Sequence, residues 1–183
     1  FDKIYCVDAL SEEHNNFWEN VGNDSKENIE YYEIKDFNLD FIEDNSLDYV
    51  FSYDVFCHIS LSGQNAYLKS LSKKCKKDAK LLIMYADPEK YLSSEPENRY
   101  HVRRYLPKDL FIYKISNKRL IKDAILDCDG EPSEGRWYWV GVENFINICE
   151  SNNFTIINKD LNIDKTNPIT FFTLWNYLFL KII

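Results

Sequence analysis

The feature that most constrains this chain is the stretch 47–60, LDYVFSYDVFCHIS. Tyr49, Val50 and Phe51, set up by the turn-forming Glu43-Asp44-Asn45-Ser46, predict a strand buried on both faces, as in a parallel sheet. The apolar run gives way at once to Ser52, Tyr53 and Asp54, with His58 four residues further on. A buried strand whose carboxyl end breaks into hydroxyl, carboxylate and imidazole is where an open α/β sheet keeps its ligand. Three more predicted strands end on an acid: 3–7 runs into Asp8, 29–34 into Lys35-Asp36-Phe37, and 79–86 into Asp87. In a parallel sheet those carboxyl ends lie on one rim. Aspartate is also a common turn former, so each acid has a local reading beside the functional one.

Between the strands the apolar spacing turns helical. Ser11 is placed to cap a helix with Leu10, His14, Phe17, Trp18 and Val21 on one face, and Glu12 and Glu13 complement its first turn. A second helix opens at Ser62-Gly63 and turns Tyr67, Leu68, Leu71 and Cys75 inward; a third, over 141–152, turns Val142, Phe145, Ile146 and Cys149 inward. Repeated βα units imply a parallel sheet with right-handed crossovers. Strands at 154–158 and from 169 onward add an antiparallel pair at its edge. The long segment 88–135 interrupts the rhythm and is expected to have its own structure and purpose.

With 183 residues and 45% hydrophobic composition the chain can bury a sizeable core. A net charge of −8 argues against a nucleic-acid or anionic-membrane surface. The basic run Lys73-Lys74-Cys75-Lys76-Lys77 reads as a solvated cap on a helix carboxyl end. Cys6, Cys57, Cys75, Cys128 and Cys149 are widely spaced, without CxxC or a Cys/His pair at zinc spacing, so no metal is expected and a reducing, cytoplasmic setting is the simplest inference. No run reaches the ~18 apolar residues of a membrane span.

In order and spacing, IYCVDAL, IEYYEIKDF, FIEDNSLDYVFSYDVFCHIS, QNAYLKSLSKKCKKDAKLLIMYAD and the closing hairpin resemble the class I S-adenosylmethionine-dependent methyltransferases. The resemblance implies an α/β, Rossmann-like, mostly parallel sheet with helices on both faces and an antiparallel C-terminal edge hairpin. It implies S-adenosyl-L-methionine as cofactor, with Asp8 on the ribose, Ala9 beside the adenine, Asp36 and Phe37 bracketing the adenine, and Ser52, Tyr53 and Asp54 lining the methionine and methyl region. The family's first strand and its glycine-rich turn would lie before Phe1, so 1–183 is expected to be a single, partial domain with a substrate-cap insertion at about 88–135.

For a hydroxyl acceptor, methyl transfer needs a base within reach of the proton. His58 is the first candidate, with helix capping as its alternative role, and His101 in NRYHVRRY is the second. Arg103 there, flanked by Arg99 and Arg104, and Arg136 beside Trp137 and Trp139, are candidates for gripping the acceptor, either as charge-assisted forks or as flat faces for a sugar or base. The arginines would otherwise be solvated partners of the many acids, and the tryptophans core. A small-molecule or saccharide hydroxyl is the expected acceptor. The alternatives are a non-catalytic interaction domain and an NAD-dependent oxidoreductase, which Asp8 would also suit and the antiparallel final pair disfavours.

Overall fold

The computed structural model describes residues 1–22, 26–87, 129, 137–159 and 169–176. They fall into two compact units, Phe1–Asn38 and Leu39–Ile183.

In the first unit β1 (Ile4–Asp8) and β2 (Ile29–Glu33) pair in parallel, with Ile4 opposite Ile29 and Asp8 opposite Glu33. The helix between them, α1, covers only Phe17–Val21. The longer helix expected from Ser11 is replaced by turns, because Asn16 takes φ 47, a left-handed conformation that asparagine tolerates and a helix interior does not. Ser11 still makes a local cap, its Oγ accepting the His14 N–H at 3.3 Å. The unit is tied together by polar and ring contacts. The Tyr31 hydroxyl donates to the Leu10 carbonyl and accepts from Asn15 Nδ2, both at 2.7 Å. The Phe17 ring stands 4.8 Å from that of Tyr31.

The second unit carries β3 (Leu47–Ser52), a 3₁₀ turn (Phe56–His58), α2 (Leu61–Lys74), β4 (Cys75–Ala86), α3 (Val142–Ser151), β5 (Phe154–Lys159) and β6 (Ile169–Asn176). Its sheet runs β3-β4-β6-β5, with β3 parallel to β4 and β6 antiparallel to both of its neighbours. The final pair is therefore the expected antiparallel hairpin, with β5 on the edge and β6 inserted beside β4. Central β4 has the residues for that place: Leu81, Ile83, Met84, Tyr85 and Ala86 are all buried. Ser60 caps α2 by accepting the Gly63 N–H at 3.3 Å, and Asp129 accepts the Ser62 N–H at 2.7 Å. From α3, Phe145 and Cys149 point inward as their spacing predicted, and Phe145 stacks on Tyr85 at 4.8 Å and 7°.

Two features differ from expectation. Strand β3, at the edge of the four-stranded sheet, is not buried on both faces: Tyr49 and Phe51, which share one face, are 63% and 70% exposed. Aromatic and β-branched residues suit a pleated surface whether or not it is covered, so composition alone does not separate the two cases. The lysine run is not wholly solvated either. Lys74 is buried and its Nζ donates to Asp44 Oδ1 at 2.7 Å, with Asp40 at 3.8 Å. No helix among the described residues is long and apolar enough to cross a membrane.

Candidate functional site

The chemistry-bearing residues of the second unit gather where β3 ends. Ser52 closes the strand, and its buried Oγ makes no hydrogen bond among the described residues. Asp54 follows at φ 56, its N–H directed at Met84 Sδ (3.4 Å) on neighbouring β4. A non-glycine residue held in the left-handed region is a feature that recurs at functional sites. Asp87, at the corresponding end of parallel β4, is buried at the same rim.

The 3₁₀ turn after Asp54 is held by donors from two directions. Buried Gln64 of α2 donates Nε2 to the carbonyls of Phe56 and Ile59, at 2.7 and 2.9 Å. The Tyr138 N–H donates to the Cys57 carbonyl at 2.7 Å. These bonds fix the turn so that Asp54, Cys57 and His58 face one another. The Cys57 thiol donates to Asp54 Oδ1 at 3.3 Å, and His58 Nε2 lies 3.7 Å from the same oxygen. The second distance is an electrostatic contact and too long for a hydrogen bond. Burial, then the charge of Asp54, push the Cys57 thiol well above its ordinary value, which disfavours a free thiolate with no cation beside it.

The tryptophans meet this turn. The Trp137 ring stands edge-on to His58 with centroids 6.2 Å apart, and Trp139 lies 5.6 Å from Trp137. At 6% and 1% exposure they wall the turn from the core side and do not offer open stacking faces. Tyr53 is exposed beside Asp54.

The first unit has a rim of its own. Asp8 and Glu33 sit at paired strand ends, and the Ile34 N–H donates to the Asp8 carbonyl at 2.8 Å. One Asp8 oxygen accepts the Leu10 N–H at 2.9 Å, and one Asp36 oxygen accepts the Asn38 N–H at 3.0 Å. Both acids thus serve as local turn formers and remain exposed to solvent, each with a second oxygen for another donor. The Ala9 carbonyl accepts from Lys35 Nζ at 2.8 Å, and half-buried Phe37 follows Asp36. His101, Arg103 and Arg136, with Arg99, Arg104 and nearly all of the 88–135 segment, lie outside the described residues.

No family model matches the sequence, and no curated protein does. Solved structures do. An S-adenosylmethionine-dependent methyltransferase from Mesorhizobium loti aligns with a TM-score of 0.61 at 13% identity, over 96% of this chain and 81% of its own. One from Methanosarcina mazei aligns at 0.59 and 13%, over 95% and 82%. The Burkholderia thailandensis 1,6-didemethyltoxoflavin-N1-methyltransferase, solved with 1,6-didemethyltoxoflavin and S-adenosylhomocysteine, aligns at 0.55 and 11%, over 95% and 61%. The fold is that of the class I S-adenosylmethionine-dependent methyltransferases. At these identities the likeness is one of architecture.

Within this methyltransferase fold, two contributors had escaped the sequence. Gln64 reads as an ordinary polar helix residue, and only the tertiary contact shows both of its amide hydrogens spent on the turn. Cys57 reads as a small core residue. Its approach to Asp54 and His58 depends on the 3₁₀ geometry, although the D-x-x-C-H spacing already allowed it.

Proposed function

We propose that the chain is an S-adenosylmethionine-dependent methyltransferase domain acting on the hydroxyl of a small molecule or saccharide. The observation that carries this reading is the sheet, in which parallel βα units are closed by an antiparallel strand inserted between β4 and β5, an arrangement aligned over some 95% of the chain with known methyltransferases.

The residues present suit the cofactor. Asp8, with a carboxylate oxygen still available, would accept hydrogen bonds from the ribose hydroxyls, with Ala9 alongside the adenine and Asp36 and Phe37 bracketing it. Ser52, Tyr53 and Asp54 would line the methionine end, where the unpartnered Ser52 Oγ has a donor and an acceptor to offer. Bound S-adenosylmethionine would supply an electrophilic methyl on its sulfonium. This chain's part is to align the acceptor oxygen behind that methyl and to take its proton. His58 is the base in this reading: its ring is held edge-on by Trp137, and Asp54 provides a counter-charge for the imidazolium that forms. His101 is the second candidate. Arg103 and Arg136 would shape the acceptor side, with buried Trp137 and Trp139 backing the turn that carries His58.

The test is transfer of radiolabelled methyl from S-adenosylmethionine to a panel of phenols, glycosides and hydroxylated metabolites. Label in the small-molecule fraction that is lost in Asp8→Ala and reduced about 10²–10⁴-fold in His58→Ala is expected. Label on amines but not on hydroxyls would overturn the acceptor class.

A further inference from the structure

We propose that Asp54, Cys57 and His58 form a three-ligand site for a zinc-class divalent ion, with a fourth position open to solvent. Oδ1, Sγ and Nε2 of these residues all lie within 4.8 Å of one another. Sγ to Oδ1 is 3.3 Å and Nε2 to Oδ1 is 3.7 Å. In a tetrahedral site with metal–oxygen and metal–nitrogen bonds of about 2.0 Å and metal–sulfur bonds of about 2.3 Å, the ligand atoms stand about 3.3–3.5 Å apart. The two distances to Oδ1 are already within a few tenths of an ångström of those values, and side-chain rotation within the turn would close Nε2 and Sγ, which lie within 4.8 Å, around one ion.

The donor set selects the ion. A carboxylate and an imidazole are compatible with many metals, but a thiolate excludes magnesium and calcium and favours zinc, cobalt or cadmium. Access is one-sided. Cys57 is buried beneath the turn, whereas the side chains of Asp54 and His58 keep 55% and 36% of their exposure, so an ion arrives from solvent and completes its shell with water. The frame is fixed before the ion arrives, by Gln64 on the carbonyls of Phe56 and Ile59 and by the Tyr138 N–H on that of Cys57. Such support raises affinity by lowering the cost of ordering the ligands. On binding, the Cys57 proton leaves for bulk water, and its hydrogen bond to Asp54 is replaced by two bonds to the metal.

A consequence rests on the methyltransferase reading above. The Nε2 lone pair that ligates the ion is the one that would take the acceptor's proton, so an occupied site lacks its base and zinc acts as a reversible inhibitor.

The experiment is a cobalt(II) titration of the chelator-treated full-length protein, read by thiolate-to-cobalt charge-transfer absorption. One equivalent is expected to develop the near-ultraviolet band, and zinc to abolish it. His58→Ala, at a partly exposed position where the fold tolerates truncation, should weaken binding at least about tenfold. Cys57→Ser should remove the near-ultraviolet band, with circular dichroism checking that the variant folds, and Cys75→Ala should leave the band in place. Absence of the band in folded wild type, or its survival in Cys57→Ser, would overturn the site. Zinc binding without inhibition of methyl transfer would leave the site standing and remove only the role of His58 as base.

Discussion

Phe1–Asn38 and Leu39–Ile183 carry similar strand–helix–strand units, yet they are held together differently. In the longer unit Phe56, Leu68, Leu81, Ile83, Tyr85, Phe145 and Phe154 have almost no exposure, and the turn with His58 rests on that core. In the shorter one no described residue is buried, and its order comes from the Tyr31 hydroxyl, the Phe17 and Trp18 rings and the parallel ladder of two strands. A two-stranded sheet is marginal without further cover. The proposed base thus sits on a buried core and the proposed ribose acid on a half-buried one. The latter would gain most from a bound ligand, because binding stabilises whatever it orders.

The contrast can be broken by core truncation. Phe145→Ala is expected to cost about 3–5 kcal/mol in urea unfolding, and half-buried Phe17→Ala about 1 kcal/mol. Equal losses would mean that the two units share one core. Next comes the buried lysine. Asp44→Ala should cost about 2 kcal/mol by stranding Lys74, and adding Lys74→Met should restore most of it, because the apolar replacement needs no partner. Stability with Asp44→Ala unchanged would show Lys74 to be solvated after all.

A smaller effect is read by pH. Burial raises the Cys75 thiol from 9.0 to about 12, and raises Cys57 and Cys149 as well. A raised acid holds its proton in the folded state after the unfolded chain has lost it. Its contribution is therefore fully present below about pH 9 and is lost as pH climbs from there toward the folded value. Cys75→Ala should flatten the decline between pH 9 and 10 by about 1 kcal/mol, measured by unfolding at each pH. An identical slope in the variant would contradict the burial of that thiol. Smallest is Asp48→Ala, which breaks the exposed pair with Lys76 and should change stability by less than about 0.5 kcal/mol.

Much of this architecture was legible in the order of residues. The apolar run LLIMYA located the central strand, the Val142, Phe145, Ile146 and Cys149 spacing oriented α3, and the strands starting at Phe154 and Ile169 formed the anticipated hairpin. These elements were readable because burial imposes a period on them. Where a single backbone angle or a distant partner decides, the period is silent. Asn16 ended a helix that the apolar spacing would have continued, and Lys74 found Asp44 across thirty residues of chain. The site was half legible. Ser52, Asp54 and His58 stood out as polar residues at a strand end, and the meeting of His58 with Trp137 could not be read because it requires the second unit to be folded. Cys57 and Gln64 were disguised as core and helix surface, since their chemistry lies in what the turn brings to them.

The most direct measurement is calorimetric titration of S-adenosylhomocysteine into the full-length protein and its Asp8→Ala variant. Micromolar binding that Asp8→Ala abolishes while the variant stays folded is the predicted result. Absence of binding to the folded wild-type protein would contradict the methyltransferase account.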